Sequence, residues 1–160
     1  MRLFLRTHDY RFKFLKDYNF KPNYHIINDK KIGSLRLHYI DEGKKGDPII
    51  VLIHGEPSWS YIYRHMIPIL KNNGFRVIAP DLIGFGKSDK PKQRKSYTYK
   101  SHVGWLTSFL YQLKINNSVL FGQDWGGLLG LRILVESPNI FSKVMIGNTF
   151  FPTGIGNLGS

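Results

Sequence analysis

The chain has 160 residues, of which 42% are hydrophobic and 21% are charged, and its formal net charge is +12 at pH 7. This length and composition predict one folded globular domain and exclude a disordered chain. The sequence contains no cysteine, which excludes a disulfide framework, a thiolate metal site and a cysteine nucleophile.

The basic residues are spread along the chain rather than gathered in one motif. They lie in an N-terminal arm, in two turns and in the loop at 87–95, and no recognised nucleic-acid motif accompanies them. We therefore expect solvated surface charge and no nucleic-acid partner, with incidental polyanion affinity as the alternative. The apolar runs are too short to cross a bilayer and no secretion signal is recognisable, which predicts a cytoplasmic protein without a membrane partner.

Strand-like and helix-like segments alternate after the N-terminal arm. Two short extended segments, residues 24–28 and 35–43, predict a β-hairpin. The apolar run at 47–55 is rich in Ile and Val, and it predicts a strand buried on both faces. The spacing of apolar residues over 61–72 then predicts a helix.

The same alternation continues through the rest of the chain. Five further segments are predicted in order as a buried strand, a helix, a third buried strand, a helix and a fourth buried strand: 75–84, 98–113, 118–124, 125–136 and 141–150. Thr98 is a candidate cap for the helix that follows it. Strands alternating with helices in this way predict an α/β fold whose parallel sheet has right-handed crossovers.

The segment LFGQDWGG at 120–127 is typical of a strand, a tight turn and a helix. Gly122, Asp124 and Gly126 match a nucleophile elbow in which Asp replaces the usual Ser. The glycines let the backbone double back, and the N-terminus of the helix favours an ionised carboxylate at Asp124. The alternative is that Asp124 only caps the helix and that the glycines belong to an ordinary turn.

Two further motifs follow the strands predicted before this elbow. They are IHGEPSWSYIYRHMIP, which begins at residue 53, and PDLIGFGKSDKP, which begins at residue 80. A turn like the one at His54, Gly55 and Pro57 brings a backbone N–H toward the elbow as half of an oxyanion hole. With the elbow, these motifs resemble the α/β-hydrolase family and, within it, the haloalkane dehalogenases over nearly the whole chain. The fold implied is an α/β-hydrolase fold, a mostly parallel sheet with flanking helices.

The resemblance implies a reaction in which Asp124 attacks the carbon that bears a halogen, displaces halide and forms an alkyl ester. The backbone N–H groups of Glu56 and Trp125 would form the oxyanion hole, and the Trp125 indole N–H would bind the halide. The alternatives are a core aromatic role for Trp125 and, for the Glu56 side chain, a role in fixing local backbone or water. The partners would be a small halogenated alkane and water, with no cofactor and no metal.

The order of the catalytic residues is where the chain departs from that family. The family order is nucleophile, acid, histidine. Here all six histidines precede Asp124, and Glu136 is the only acidic residue after it. His54, His65 and His102 are poor substitutes for the missing base, because the first resembles a loop anchor and the other two lie on predicted helices.

The resemblance therefore implies the N-terminal part of a longer enzyme, truncated before the cap and the last strands. Its divisions would be an N-terminal arm at 1–21, part of the hydrolase core at 22–150 and the start of a cap region at 151–160. We expect this part to be inactive by itself. The sequence carries no readable signature of oligomeric state, and a monomer is expected for the full-length protein.

Two other functions fit the same residues. An epoxide hydrolase uses the same Asp elbow and ester intermediate, but it needs cap tyrosines to protonate the epoxide oxygen. A truncated, non-catalytic protein that binds small apolar ligands is the second alternative. The HGEPSWSYIYR segment at 54–64 favours the dehalogenase over the epoxide hydrolase.

Overall fold

The computed structural model describes residues 2–150, which form eight strands and three α-helices. The strands are β1 (Phe4–Leu5), β2 (Asn23–Asp29), β3 (Gly33–Glu42), β4 (Ile49–Ile53), β5 (Arg76–Pro80), β6 (Lys90–Pro91), β7 (Ser118–Gln123) and β8 (Phe141–Gly147). The helices are α1 (Met66–Asn72), α2 (Tyr99–Gln112) and α3 (Trp125–Glu136). Short 3-10 helices span Asp9–Phe12, Ser60–Tyr63 and Arg94–Ser96.

Six of the strands form one sheet in the order β2-β3-β5-β4-β7-β8. The hairpin β2–β3 and the pair β3–β5 are antiparallel, whereas β5, β4, β7 and β8 run parallel to one another. The predicted hairpin and the predicted mostly parallel sheet are both confirmed. Strands β4 and β7 are parallel neighbours, so their carboxyl ends lie at the same edge of the sheet, where polar side chains can meet.

Strand β4 is buried on both faces of the sheet. Val51 and Ile53 pack into one apolar cluster together with residues of α2 and α3, and Ile50 and Leu52 pack into a second cluster together with α1. Because neither face meets water, the strand is apolar at every position, as a central parallel strand should be. The prediction of a buried strand at this position is confirmed.

The N-terminal arm is attached to the loop that follows β5. Strand β1 pairs antiparallel with β6, and the Arg6 guanidinium donates two hydrogen bonds of 2.7 Å to the buried Asp89 carboxylate. Further along the arm, the Tyr18 and Ser60 hydroxyls lie 2.6 Å apart. The division into an arm, a core and a cap region stays a prediction, and residues 151–160 lie outside the described part of the chain.

The helix predicted over 61–72 was wrong in its first half. Residues Ser60–Tyr63 form a 3-10 turn, and the α-helix begins only at Met66. Pro68 explains the difference, because proline lacks an N–H and its ring collides with the carbonyl four residues earlier. An α-helix continuous through Arg64 is therefore excluded, whereas proline in the first turn of α1 is tolerated.

The helix predicted over 98–113 is confirmed as α2. Its cap is also confirmed, because the Thr98 hydroxyl oxygen accepts a 3.1 Å hydrogen bond from the Ser101 N–H. Among residues 2–150, no helix combines the length and the apolar character that a membrane crossing requires.

The fourth strand was predicted as buried, and this was wrong. Strand β8 lies at one edge of the six-stranded sheet, and Val144, Met145 and Ile146 are 38%, 60% and 44% exposed. A sequence pattern reports how apolar a strand is, but the number of layers that cover it depends on its place in the sheet. Within residues 2–150, β7 is the one strand that pairs with β8.

Candidate active site

The carboxyl ends of β4 and β7 bring two loops into contact. Asp124 follows β7 directly and precedes the first residue of α3, while Gly55 and Glu56 follow β4. Strands β4 and β7 are hydrogen-bonded neighbours, with Ile53 paired to Gly122. The two loops therefore meet although nearly 70 residues of chain separate them.

Asp124 has a backbone conformation that residues other than glycine rarely adopt. Its φ is 53° and its ψ is −125°, a combination that costs about 1–3 kcal/mol when surrounding structure imposes it. The imposing contacts are on both sides of the residue, because the Asp124 N–H donates to the Asn148 carbonyl (3.2 Å) and the Asp124 carbonyl accepts from the Thr149 hydroxyl (2.8 Å). The loop after β8 thus holds the turn in its strained conformation.

The glycines on either side of Asp124 are required by close packing. A Cβ on Gly126 would lie 2.0 Å from the Ile53 carbonyl oxygen, and one on Gly122 would lie 2.7 Å from the Gly127 Cα. Any larger residue at either position would push α3 away from the sheet. The sharp strand–turn–helix predicted from the sequence is present.

The Asp124 side chain does not cap α3, which contradicts the alternative of a simple helix cap. Its Oδ1 atom instead accepts a 2.9 Å hydrogen bond from the Glu56 backbone N–H. Among residues 2–150, Trp125 donates no bond to this carboxylate, and Oδ2 has no hydrogen-bond partner. One carboxylate oxygen is therefore held while the other remains available.

Gly55 lets the loop after β4 approach this carboxylate. A Cβ on Gly55 would lie 2.3 Å from both the Cβ and the Oδ1 of Asp124. The Glu56 side chain is exposed and makes no hydrogen bond within residues 2–150. Glu56 therefore contacts Asp124 through its backbone.

Trp125 is the first residue of α3 and remains 38% exposed. It lines a cavity of about 500 Å³ with Gly55, Glu56 and Leu129, and its ring centroid lies 6.2 Å from that of Tyr99. A buried core aromatic, the alternative considered for this residue, does not fit this exposure. Its indole N–H makes no hydrogen bond within the described residues, so it remains available as a donor.

Comparison with known proteins places this geometry in a family. A model of the alpha/beta hydrolase fold matches residues 48–156, which is more than half of the chain. The chain belongs to the α/β-hydrolase family. The strand–elbow–helix at Asp124 and the loop after β4 both lie inside the matched region.

Similar α/β hydrolases include a haloalkane dehalogenase from Psychrobacter cryohalolentis, 56% identical over 155 residues, with 97% of this chain and 51% of the relative covered. A tetrameric haloalkane dehalogenase from Paraglaciecola agarilytica superposes with a TM-score of 0.86 at 44% identity, covering 93% of this chain and 50% of the other. An epoxide hydrolase from Vigna radiata gives a TM-score of 0.70 at 26% identity, covering 82% and 41%.

This α/β hydrolase is therefore a homologue of the haloalkane dehalogenases, and the resemblance seen in its motifs is confirmed. The chain spans about half the length of the curated relatives that it matches. The three site residues inferred from that resemblance, Glu56, Asp124 and Trp125, lie together at the carboxyl edge of β4 and β7.

The three histidines predicted to be poor substitute bases lie in different surroundings. His54 is fully buried; its Nδ1–H donates to the Gly55 carbonyl (2.9 Å) and its Nε2 accepts from the Leu82 N–H (2.9 Å), so neither nitrogen is free. Burial lowers the pKa of His54, and burial lowers the pKa of His102 to about 4. His65 is exposed, and its Nε2 lies 4.0 Å from the carboxylate of Asp17.

Sequence reasoning missed a buried carboxylate that supports the loop after β4. Asp81 is fully buried and accepts hydrogen bonds from the Ser60 N–H (3.0 Å), the Lys87 N–H (2.8 Å) and the His38 Nδ1 (2.8 Å). Burial by itself raises the pKa of Asp81, but the hydrogen bond and charge of His38 hold it below the ordinary value. A charged residue directly after a buried strand was the available signal, because a buried charge requires partners.

Proposed function

We propose that this chain supplies the nucleophile of a hydrolase that cleaves the carbon–halogen bond of small haloalkanes. The observation that supports this most is the Asp124 carboxylate, which stands on a strained turn with Oδ1 bound by the Glu56 N–H and Oδ2 without a partner in the described chain. In this arrangement Oδ2 attacks carbon, the carbon–halogen bond breaks, and the halide leaves with the bonding electrons.

A carboxylate suits this reaction better than the serine hydroxyl usual at such an elbow. Displacement by serine would give an ether, whereas displacement by Asp124 gives an ester with its own carbonyl. Water then attacks that carbonyl carbon, the alcohol leaves, and the carboxylate is regenerated. The Glu56 N–H already points at Oδ1, where negative charge develops during this second step. We assign the Trp125 backbone N–H as the second donor.

The leaving halide needs a hydrogen-bond donor in a largely apolar site. The Trp125 indole N–H can donate but cannot accept, so it can bind an anion without presenting a lone pair that would repel it. Trp125 follows Asp124 directly and borders an open cavity. We therefore assign Trp125 to halide binding as well as to the oxyanion hole.

The second step needs a general base, and we propose that it is supplied from outside these 160 residues. The proton of the attacking water has to be accepted in that step. His54 has no free nitrogen, and the depressed pKa of His102 makes it a weak base. The chain by itself is therefore expected to accept an alkyl group on Asp124 and to retain it.

The dehalogenase proposal is favoured over epoxide hydrolysis by sequence identity. The dehalogenase structure is 44% identical to this chain, against 26% for the epoxide hydrolase. Non-catalytic binding is disfavoured because a strained turn at Asp124 would then have no use. The expectation of a monomer stays a prediction, and the tetrameric relative makes sedimentation velocity the measurement to perform. The cytoplasmic location also stays a prediction.

Intact-mass analysis after incubation with 1-bromobutane tests the proposed function. We expect the mass of one butyl group to be added per chain, and peptide mapping to locate it on Asp124. Asp124→Asn should abolish the addition. Asp17→Asn is the matched control, because Asp17 is also an aspartate with positive φ (58°), and it should leave the addition unchanged. Absence of the adduct, or its location on another residue, would contradict the proposal. Repeated bromide release would contradict the inference that the general base is supplied from outside these 160 residues.

A further inference from the structure

The cavity beside Trp125 carries two cations that the proposed reaction does not use. Besides Glu56, Leu129 and Tyr99, its lining includes Lys92 and Arg94. Both cations belong to the segment between β6 and α2, whereas Glu56 belongs to the loop after β4 and Trp125 to the first turn of α3.

The Lys92 and Arg94 side chains are uncommitted, unlike those of other basic residues nearby. Within residues 2–150, neither makes an ion pair or a side-chain hydrogen bond. By contrast, the Lys90 ammonium donates to the Gly86 and Ser88 carbonyls at 2.7 and 2.8 Å. The backbone at Lys92 is nevertheless fixed, since its N–H donates to the Leu3 carbonyl at 2.9 Å. Among the described residues, Lys92 and Arg94 are therefore two exposed, unpaired cations beside the cavity, and the backbone of Lys92 is anchored.

The other polar groups that line the cavity include two tyrosines, one histidine and one carboxylate. The Tyr97 hydroxyl donates to the Pro91 carbonyl (2.9 Å) and the Tyr99 hydroxyl to the Leu128 carbonyl (3.1 Å), so both hydroxyl protons are already used. His102 is neutral near pH 7, because burial lowers its pKa to about 4. Glu56 is the one carboxylate in the lining. The cavity lining therefore carries two cations and one anion, and its other residues are mostly aromatic or aliphatic.

We propose that this cavity is a second halide site, in which Lys92 and Arg94 attract the chloride or bromide ion released at Trp125. The inference rests on the proposed function, since that reaction produces the ion. A halide beside the regenerated Asp124 carboxylate is repelled by a like charge, whereas the two cations favour its departure through the cavity. The mostly aromatic wall, with only two free cations, suits a small, weakly hydrated monovalent anion better than a polyanion.

Bromide NMR line broadening, measured at constant ionic strength, tests the second site directly. We expect saturable broadening with the wild-type protein, and about tenfold weaker bromide binding in Lys92→Gln/Arg94→Gln, because two nearby charges are lost. Lys95→Gln/Lys100→Gln is the matched control: it removes the same charge from two exposed residues that line a different cavity. The control should keep bromide affinity within about twofold.

Three results would overturn the second site: no saturable binding to the wild-type protein, no effect of the Lys92 and Arg94 substitutions, or equal weakening by both pairs. If the double variant fails to fold, the single variants Lys92→Gln and Arg94→Gln should each weaken binding about threefold. Alkylation of wild-type Asp124 by 1-bromobutane is measured in parallel. If Asp124 is not alkylated but bromide still binds, the proposed reaction is rejected and the anion site is not. If Asp124 is alkylated but bromide does not bind, the anion site alone is rejected.

Discussion

The Glu56 backbone N–H donates a 2.9 Å hydrogen bond to Oδ1 of Asp124, although the two residues are 68 positions apart in the chain. The sheet brings them together, because β4 and β7 are neighbours and each loop begins where its strand ends. The contact fixes one carboxylate oxygen and leaves the other without a partner among residues 2–150. The geometry at Asp124 therefore depends on the loop after β4 as much as on its own turn.

Gly55→Ala should reduce the rate of Asp124 alkylation by 1-bromobutane about a hundredfold, the usual scale for misplacing a reacting group by about 1 Å. The added methyl carbon would lie 2.3 Å from the Asp124 Cβ and Oδ1, so the carboxylate has to move away from the Glu56 N–H. The measurement is the rate of adduct formation by mass spectrometry, with circular dichroism to verify folding.

Gly104→Ala is the control for that substitution. Gly104 lies on the exposed face of α2, and a Cβ there meets no atom within 4 Å. Alanine is favoured over glycine in a helix, so the free energy of unfolding should rise by about 1 kcal/mol while alkylation is unchanged. An unchanged alkylation rate in Gly55→Ala would show that the contact with Glu56 does not position the nucleophile.

Stability should decrease as pH falls from about 6.5 to about 4, in part because of His102. Burial lowers the pKa of this histidine to about 4, so over that range the unfolded chain binds a proton that the folded chain does not. Folding is then opposed by up to about 3 kcal/mol at the acid end, and His102 has no effect above its unfolded pKa. Urea unfolding at pH 7 and pH 4.5 measures the difference.

His102→Gln should make that pH dependence smaller, whatever its effect on stability at pH 7. The buried His54, whose pKa is also lowered, leaves part of the dependence in place. A slope in His102→Gln equal to that of the wild type would contradict the assignment.

Thr98→Ala should lower the free energy of unfolding by about 1 kcal/mol, because it removes the acceptor that caps α2. The Thr98 hydroxyl oxygen lies 3.1 Å from the Ser101 N–H, which has no partner in the preceding turn. Thr98→Ser retains the oxygen and should cost only a few tenths of a kcal/mol. Equal losses in the two variants, measured by urea denaturation, would mean that the methyl group rather than the cap is responsible.

The features that the sequence predicted well are those fixed by local chemistry. Helix α3 spans Trp125–Glu136 as predicted, because glycines and a strained turn define its start and Pro138 prevents its continuation. The cap at Thr98 and the elbow at Asp124 are likewise local. The predicted start of α1 was too early, because Pro68 limits the helix while the apolar spacing continues before it.

The features that were missed depend on distant partners. The three donors to Asp81 come from His38, Ser60 and Lys87, up to 43 positions away in the chain, and no local pattern indicates them. The exposure of β8 depends on its place at the edge of the sheet, which an apolar run does not reveal. The contact between Glu56 and Asp124 became predictable only through the family resemblance, because that resemblance supplied the pairing of the two loops.

Among residues 2–150, strand β8 has one unpaired edge, and we expect Met145→Lys to reduce association of the chain through that edge. Met145 is 60% exposed between Val144 and Ile146, on a strand with one neighbour among residues 2–150. A charged side chain on an edge strand opposes pairing with a second sheet, because association would bury the charge. Static light scattering against protein concentration should show the variant associating at several-fold higher concentration than the wild type.

Val135→Lys is the matched control, since Val135 is 78% exposed but lies on α3 rather than on a strand edge. If both lysines suppress association equally, added net charge rather than the open edge is the cause. If the edge is responsible, only Met145→Lys raises the protein concentration at which association occurs. The free energy of unfolding of this variant should stay within about 0.5 kcal/mol of the wild-type value, as expected of a surface substitution.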